Sequence, residues 1–185
     1  MADKAKHTVR LIKPALKLEI EYMDMVQDFV KAGESQREFE CRCALEDFAK
    51  YVQDCLDWEK GKALPDGWVA MSTFWLIHKD NVILGVSTLR HKLNDALRVF
   101  GGNIGYKIRP GRRRMGYGTM ILKLTLAEAK RLGLKRVLIT CDDDNVASAK
   151  IIERNSGALE DKCDRGEPGK LTRRYWIDLH NQTLT

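Results

Sequence analysis

Between residues 108 and 119 the sequence reads Ile108-Arg109-Pro110-Gly111-Arg112-Arg113-Arg114-Met115-Gly116-Tyr117-Gly118-Thr119. A β-prone run ends at Ile108, a loop rich in glycine and arginine follows, and helical periodicity begins at Tyr117. Such a loop presents several backbone N–H groups at a helix N-terminus, where the helix dipole adds partial positive charge. Gly116 and Gly118 lack a Cβ, which lets an anion approach the backbone closely. Three consecutive arginines add full positive charges that suit phosphate oxygens, each charge-assisted hydrogen bond contributing roughly 1.5–3 kcal/mol. The construction fits a diphosphate. It does not fit a nucleoside triphosphate bound for hydrolysis. Gly111 and Gly116 have the spacing of a Walker loop, but Tyr117-Gly118 stand where its Lys and Ser/Thr belong. A dinucleotide G-x-G-x-x-G is not matched either.

Elements must position this loop. A β-prone stretch near Thr8–Ile12 opens the chain. Leu18, Tyr22, Met25, Val26 and Phe29 recur at helical spacing up to Gly33, and Leu45, Phe48, Val52, Cys55 and Leu56 form a second stripe. Residues 72–78 and 82–89 read as a hairpin, and residues 102–108 as a third strand that stops at Arg109-Pro110. A helix over residues 117–132 ends at Gly133, and a buried-type strand covers residues 136–140. Residues 146–154 form a further helix, closed by Asn155-Ser156-Gly157. Two last strands fall near residues 158–161 and 173–178. The order βααβββαβαββ predicts an α/β (α+β) fold with a mixed central β-sheet flanked by helices.

The chain has 185 residues, the length of a single domain, 1–185. Its 44% hydrophobic and 31% charged residues suit a soluble globular protein. No run of 18 apolar residues and no apolar segment after the polar start are present, so the expectation is a cytoplasmic protein without a membrane span. Five cysteines without a C-x-x-C spacing and four scattered histidines predict free thiols and no metal site. Residues 109–185 hold 16 basic and 10 acidic residues and so carry the whole net charge of +6. Residues 19–66 hold 13 acidic and 6 basic residues.

Arg113-x-x-Gly116-x-Gly118 matches the [QR]-x-x-G-x-[GA] loop of the GNAT N-acetyltransferases, with the same strand, x-Pro, loop and helix context. Asn145-Val146-Ala147-Ser148 resembles the family's second signature, N-x-x-[AS], at the start of the next helix. The element order follows the family layout over essentially the whole chain. The closing Arg173-Arg174-Tyr175-Trp176 resembles a group of bacterial members. The resemblance implies a GNAT-like acyl-CoA N-acyltransferase fold, acetyl-CoA as cosubstrate without a metal, and an amine acceptor reached by direct transfer in a ternary complex. It implies a diphosphate on Arg113, Arg114, Gly116, Gly118 and Thr119, with Met115 and Tyr117 also among the cofactor-binding residues, and a pantetheine arm along the strand end at Ile108, hydrogen-bonded by Asn145 and with Ser148 near it. The backbone N–H of Ile108 would stabilise the oxyanion. The family's usual tyrosine acid, seven residues after the asparagine, is replaced by Ile152, and its final Gly-Phe by Gly157-Ala158. Two-fold association is common for this fold.

The acidic stretch of residues 19–66 leads to the expectation of a cationic small-molecule or protein amine as acceptor. An amine of pKa about 10.4 is neutral in only about 1 part in 2,500 at pH 7, a penalty of about 4.6 kcal/mol, so a base or a desolvated pocket is required. Asp142, Asp143, His91 and Glu40 are candidates by residue type alone. Asp142-Asp143-Asp144 reads as a charged turn rather than a metal site, and Cys141 as a buried strand residue rather than a nucleophile. Asn145 also has the residue type of a helix N-cap. Tyr175 and Trp176 read as core and edge residues, and Trp58, Trp68 and Trp75 as packing residues. Two other functions stand beside the enzyme. One is a non-catalytic CoA-binding sensor, motivated by Ile152. The other is nucleic-acid binding, motivated by the basic half but lacking any recognition signature.

Overall fold

The computed structural model describes residues 9–34, 44–164 and 170–180. In chain order the elements are β1 (Val9–Ile12), α1 (Glu19–Lys31), α2 (Phe48–Glu59), β2 (Met71–His78), β3 (Ile83–Arg90) and α3 (Asp95–Val99). They continue with β4 (Ile104–Ile108), α4 (Tyr117–Arg131), β5 (Arg136–Asp142), α5 (Val146–Arg154), β6 (Ala158–Asp164) and β7 (Leu171–Asp178). One four-stranded sheet has the order β1-β2-β3-β4 and a three-stranded sheet the order β5-β7-β6, with every ladder antiparallel.

Strands β2 and β3 are buried along seven of their eight residues, because helices cover both faces. That is why they read as unbroken apolar runs rather than as alternating ones. On one face Tyr22, Met25, Val26 and Phe29 of α1 and Phe48, Tyr51, Val52 and Trp58 of α2 close on Met71, Trp75 and Val86. On the other, Leu122 and Leu126 of α4 pack with Phe74, Leu89, Ile104, Val137 and Ile139.

The two sheets meet at one vertex. Asn103 N–H donates to the Leu138 carbonyl at 2.6 Å, and Leu138 N–H donates to Asn103 Oδ1 at 2.9 Å. Gly102 permits this approach, since a Cβ there would lie 2.4 Å from the Leu138 oxygen. Beyond the vertex β4 and β5 splay apart. Residues 106–108 and the segment after β5, from Asn145, line the same cleft, so the two strands run in the same direction from the vertex. The mixed character of the central layer resides in this unpaired β4–β5 neighbourhood.

Three local details depart from the sequence reading. The strand expected from Gly102 begins at Ile104, because Gly102 and Asn103 form the vertex. Helix α3 has no apolar stripe and is marked only by its cap, Asn94, whose side chain accepts from Leu97 N–H. After α5 it is Ser156, at φ +67°, that takes the left-handed conformation. Gly157 is required for space, as its Cβ would sit 2.9 Å from the Ile152 oxygen. Cys55, Cys141 and Cys163 are free thiols, and Cys41 and Cys43 lie outside the described residues. Among the described residues no helix is long and apolar enough to cross a membrane.

Candidate functional site

The loop after β4 is a single turn of 3-10 helix, Pro110–Arg112, followed by two left-handed residues, Arg114 at φ +62° and Gly116 at φ +86°. Gly116 is the N-cap of α4. The first ladder bond runs from Met120 N–H to the Gly116 carbonyl at 3.2 Å. The N–H groups of Tyr117, Gly118 and Thr119 therefore fall outside the helix ladder, at the positive end of a 15-residue helix. Gly118 has a second duty. A Cβ there would meet Ile151 Cδ1 at 2.6 Å, so its absence lets α5 lie against the start of α4.

These amides open into a cleft of about 750 Å³ between the β4 and β5 arms. Ile108, Arg113, Arg114, Gly116, Gly118, Thr119, Asn145 and Ser148 line it, so eight of the ten residues singled out from sequence converge. Met115 is exposed beside it, and Tyr117 packs its ring toward the cluster of Leu76 and Ile121. Lys107, Lys150 and Arg154 also line the cleft and were not anticipated. Among the described residues five of the lining side chains are cationic, and Glu34 is the one carboxylate.

The register of β4 decides which backbone groups face this space. Arg90 N–H donates to the Asn103 carbonyl and Arg109 N–H to the Leu84 carbonyl. The Asn103 carbonyl, residues 105 and 107 and the Arg109 N–H are thus bonded toward β3, and the N–H and C=O groups of Tyr106 and Ile108 point to the free edge. The Ile108 carbonyl accepts from Arg113 Nε at 3.1 Å, while its N–H stays on that edge.

The arginines divide their labour in a way the sequence did not reveal. Arg113 holds Glu34 with both terminal nitrogens, at 2.7 and 2.5 Å. Its guanidinium ties the end of α1 to the end of β4 and is not directed at a ligand by its fork. Arg109, 8% exposed, is clasped by three carboxylates of α1: Glu21 at 2.8 Å, Asp28 at 2.5 Å, and Asp24. Burial opposes its charge, but the hydrogen bonds it donates to Asp28 and Asp24, with the attraction of their charges, outweigh it and hold its pKa above the ordinary value. Much of the α1 acidity is therefore spent on anchoring the loop. Arg114 makes no hydrogen bond or ion pair among the described residues, so of the two loop arginines that line the cleft it is the one left for an anion.

Deeper in the cleft the Tyr106 hydroxyl lies 3.0 Å from Ser148 Oγ. Burial pushes the Tyr106 phenol up to about 12, so it remains protonated. Ser148 also contacts the Cys141 thiol, whose pKa burial raises, which leaves Cys141 a poor nucleophile. Asn145 is both cap and lining: its Oδ1 accepts from Ser148 N–H at 3.0 Å, and the side-chain amide donor remains for a ligand. Ile152 is fully buried in the core, whereas its neighbour Ile151 lines the cleft. Position 152 lies one turn after Ser148 on the same helix face.

The four base candidates fare differently. Glu40 lies outside the described residues. Asp143 is held by Lys162 at 2.8 Å and Arg173 at 2.5 Å, bonds that lower its pKa and make it a weaker base. Asp142 ends β5 and does not line the cleft. His91 lies past the end of β3, beyond the level of Asn103 and so roughly 10 Å or more along the strands from Tyr106. There it belongs to a chain of polar contacts, with His91 Nε2 2.9 Å from Ser72 Oγ, which donates to Glu59 Oε1 at 2.9 Å, which accepts from Lys13 at 2.5 Å.

Burial lowers the His91 pKa below its ordinary 6.5. A base with a depressed folded pKa contributes stability above its unfolded pKa and loses it as pH falls through the folded value. Unfolding midpoints measured from pH 7.5 to 5 are therefore expected to drop for the native chain. The drop should be smaller for His91→Gln, which keeps a polar partner for Ser72 and does not titrate.

An anion-ready helix N-terminus thus stands at the mouth of a cleft between two splayed strands, with unpaired strand amides along one wall. Residues 18–156 match the model of the acetyltransferase (GNAT) domain, and the chain belongs to that family of acetyl-CoA-dependent N-acetyltransferases. Solved structures agree on the fold. The Salmonella typhimurium acetyltransferase that modifies the N-terminal serine of ribosomal protein L7/L12 superposes with a TM-score of 0.67 at 19% identity, over 92% of this chain and 95% of that one. RimL, the ribosomal L7/L12 α-N-protein acetyltransferase in complex with coenzyme A, gives 0.69 at 20% identity, over 92% and 94%. The microcin C7 self-immunity acetyltransferase MccE, in complex with acetyl-CoA and AMP, gives 0.69 at 18%, over 92% of each chain. A search of the curated proteins gives no match.

Proposed function

We propose that this chain binds acetyl-CoA in the β4–β5 cleft and transfers its acetyl group directly to a primary amine, with Ser148 as the proton donor to the departing sulfur. The observation that carries this reading is the Tyr106–Ser148 pair, 3.0 Å apart, on the inner wall of a cleft whose outer wall is the amide-lined start of α4. The free edge of β4 supplies N–H groups at Tyr106 and Ile108 for the amides of a pantetheine arm and for the carbonyl oxygen that gains charge during attack. The amine nitrogen forms a bond to the thioester carbon, the carbon–sulfur bond breaks, and the thiolate takes a proton. With Tyr106 donating to Ser148 Oγ, the Ser148 hydrogen is not used in that bond and can be given to the departing sulfur. The amine gives up its own proton to solvent, and Ser148, having protonated the sulfur, regains a proton from solvent in the open cleft, so the net products are the amide and the free thiol.

The sensor alternative rests on Ile152, and what stands against it is Ser148, a hydroxyl one turn earlier that lines the cleft. Fewer acidic groups face a cationic acceptor than the composition implied, since Glu21, Asp24, Asp28 and Glu34 are bound to Arg109 and Arg113. The likeness to enzymes that acetylate a ribosomal N-terminal serine puts peptide N-termini beside small amines in the acceptor panel.

Thiol release from acetyl-CoA, followed over that panel, tests the reading. Ser148→Ala is expected to lower kcat about 10- to 100-fold with little change in the KM for acetyl-CoA. The effect stays at the low end for an acid because a thiol of pKa about 8.5 is a tolerable leaving group unaided. Tight CoA binding without turnover on any amine would instead establish the sensor.

A further inference from the structure

The sequence of contacts along α5 gives the cleft a direction. Ser148 meets Tyr106. One turn later Ile151 meets Gly118, and Asn155 Nδ2 then donates to the Thr119 carbonyl at 3.3 Å. From Ser148 to Arg154 the helix advances about 9 Å, from the inner wall of the cleft past the start of α4 to its outer rim. Lys150 and Arg154 stand on this stretch, both exposed, both lining the cleft and four residues apart on one helix face.

Two like charges at that spacing repel each other. Neither is neutralised by an ion pair among the described residues. Glu153, the acid between them in sequence, accepts instead from the Tyr175 hydroxyl at 3.1 Å. The diphosphate-type position at the start of α4 is served by the amides of Tyr117–Thr119 and by Arg114, which leaves this second basic pair without a task there. In CoA the groups follow one another as thiol, pantetheine, diphosphate and ribose 3′-phosphate. With the thiol end at Ser148 and the diphosphate at the start of α4, the next anion outward falls at Lys150 and Arg154.

We propose that Lys150 and Arg154 form a phosphomonoester site for the ribose 3′-phosphate, through which this chain distinguishes CoA from 3′-dephospho-CoA. The proposal rests on the CoA reading of the cleft. Its chemistry is that of two mobile cations facing a dianion, exposed enough to weaken with salt.

Calorimetric titration of the full chain with CoA and with 3′-dephospho-CoA, at 50 and 300 mM salt, tests it. The native chain is expected to prefer CoA by about 10- to 30-fold at the lower salt and by less at the higher. The Lys150→Gln/Arg154→Gln variant is expected to bind the two ligands equally. Equal binding by the native chain overturns the 3′-phosphate site and leaves the CoA reading standing. A preference that survives in the variant assigns the discrimination to other residues and overturns the proposal. Binding of neither ligand by the native chain defeats the CoA reading and this proposal together.

Discussion

Gly116→Val is expected to weaken CoA binding about 100-fold while the chain remains folded. Gly116 sits at φ +86°, a conformation that costs a β-branched residue more than the roughly 1–2 kcal/mol it costs an ordinary one. The backbone relieves that strain by rotating away, and Gly116 is the N-cap whose carbonyl starts the α4 ladder. The amides of Tyr117, Gly118 and Thr119 then no longer converge on one point. Losing one or two charge-assisted bonds at roughly 1.5–3 kcal/mol each gives the stated factor. The body of α4 is held by Ile121, Leu122 and Leu126 in the core, so circular dichroism should show a folded chain with a lowered midpoint. Gly111 provides the control. It has no positive φ, and a Cβ there would meet nothing within 4 Å, so Gly111→Ala should bind CoA within about twofold of the native chain.

Arg109→Met is the substitution expected to cost the most stability, about 2–3 kcal/mol in denaturant unfolding. Removing one partner of a buried ion pair typically costs 3–5 kcal/mol, because the other charge is left behind. Here three carboxylates are left behind, but their side chains are 27, 59 and 29% exposed, and water recovers part of the loss. A partial rescue follows: adding Asp28→Asn to Arg109→Met removes one repelling charge and should regain part of the deficit. CoA affinity should fall in Arg109→Met as well. Arg109 begins the turn that carries the loop, and the Glu21 carboxylate it holds also accepts from Ile83 N–H at the start of β3. A substitution confined to α1's solvent face would do neither.

The loop was legible in the sequence because its signals are local. Two glycines at fixed offsets, a proline after a β-prone run and the onset of a 3.6-residue period are all written within twelve residues. The helices and strands of the core were legible for the same reason. What escaped were pairings across long stretches of chain. Arg109 reaches partners 81 to 88 residues away and Arg113 one 79 residues away, so two of the basic residues of the loop turned out to be anchors. Tyr106 and Ser148 are 42 residues apart, and only the splay of β4 from β5 brings them into one cleft. The replacement of the family tyrosine by Ile152 was visible as a letter. Its meaning depended on what stands near that position, and Ser148, one turn earlier on the same face, lines the cleft. Lys150 and Arg154 did carry a readable sign, a basic pair at i and i+4 just after the second signature.

The central claim is that the amides before Met120 and along the free edge of β4 receive CoA. Amide chemical shifts followed by NMR while CoA is titrated into the uniformly labelled chain test it most directly. The account predicts that the largest changes fall on Gly116, Gly118, Thr119, Tyr106 and Ile108, saturating together at one stoichiometric equivalent. Changes that spare these five and gather on another face of the protein, or no saturable change at all, would contradict it.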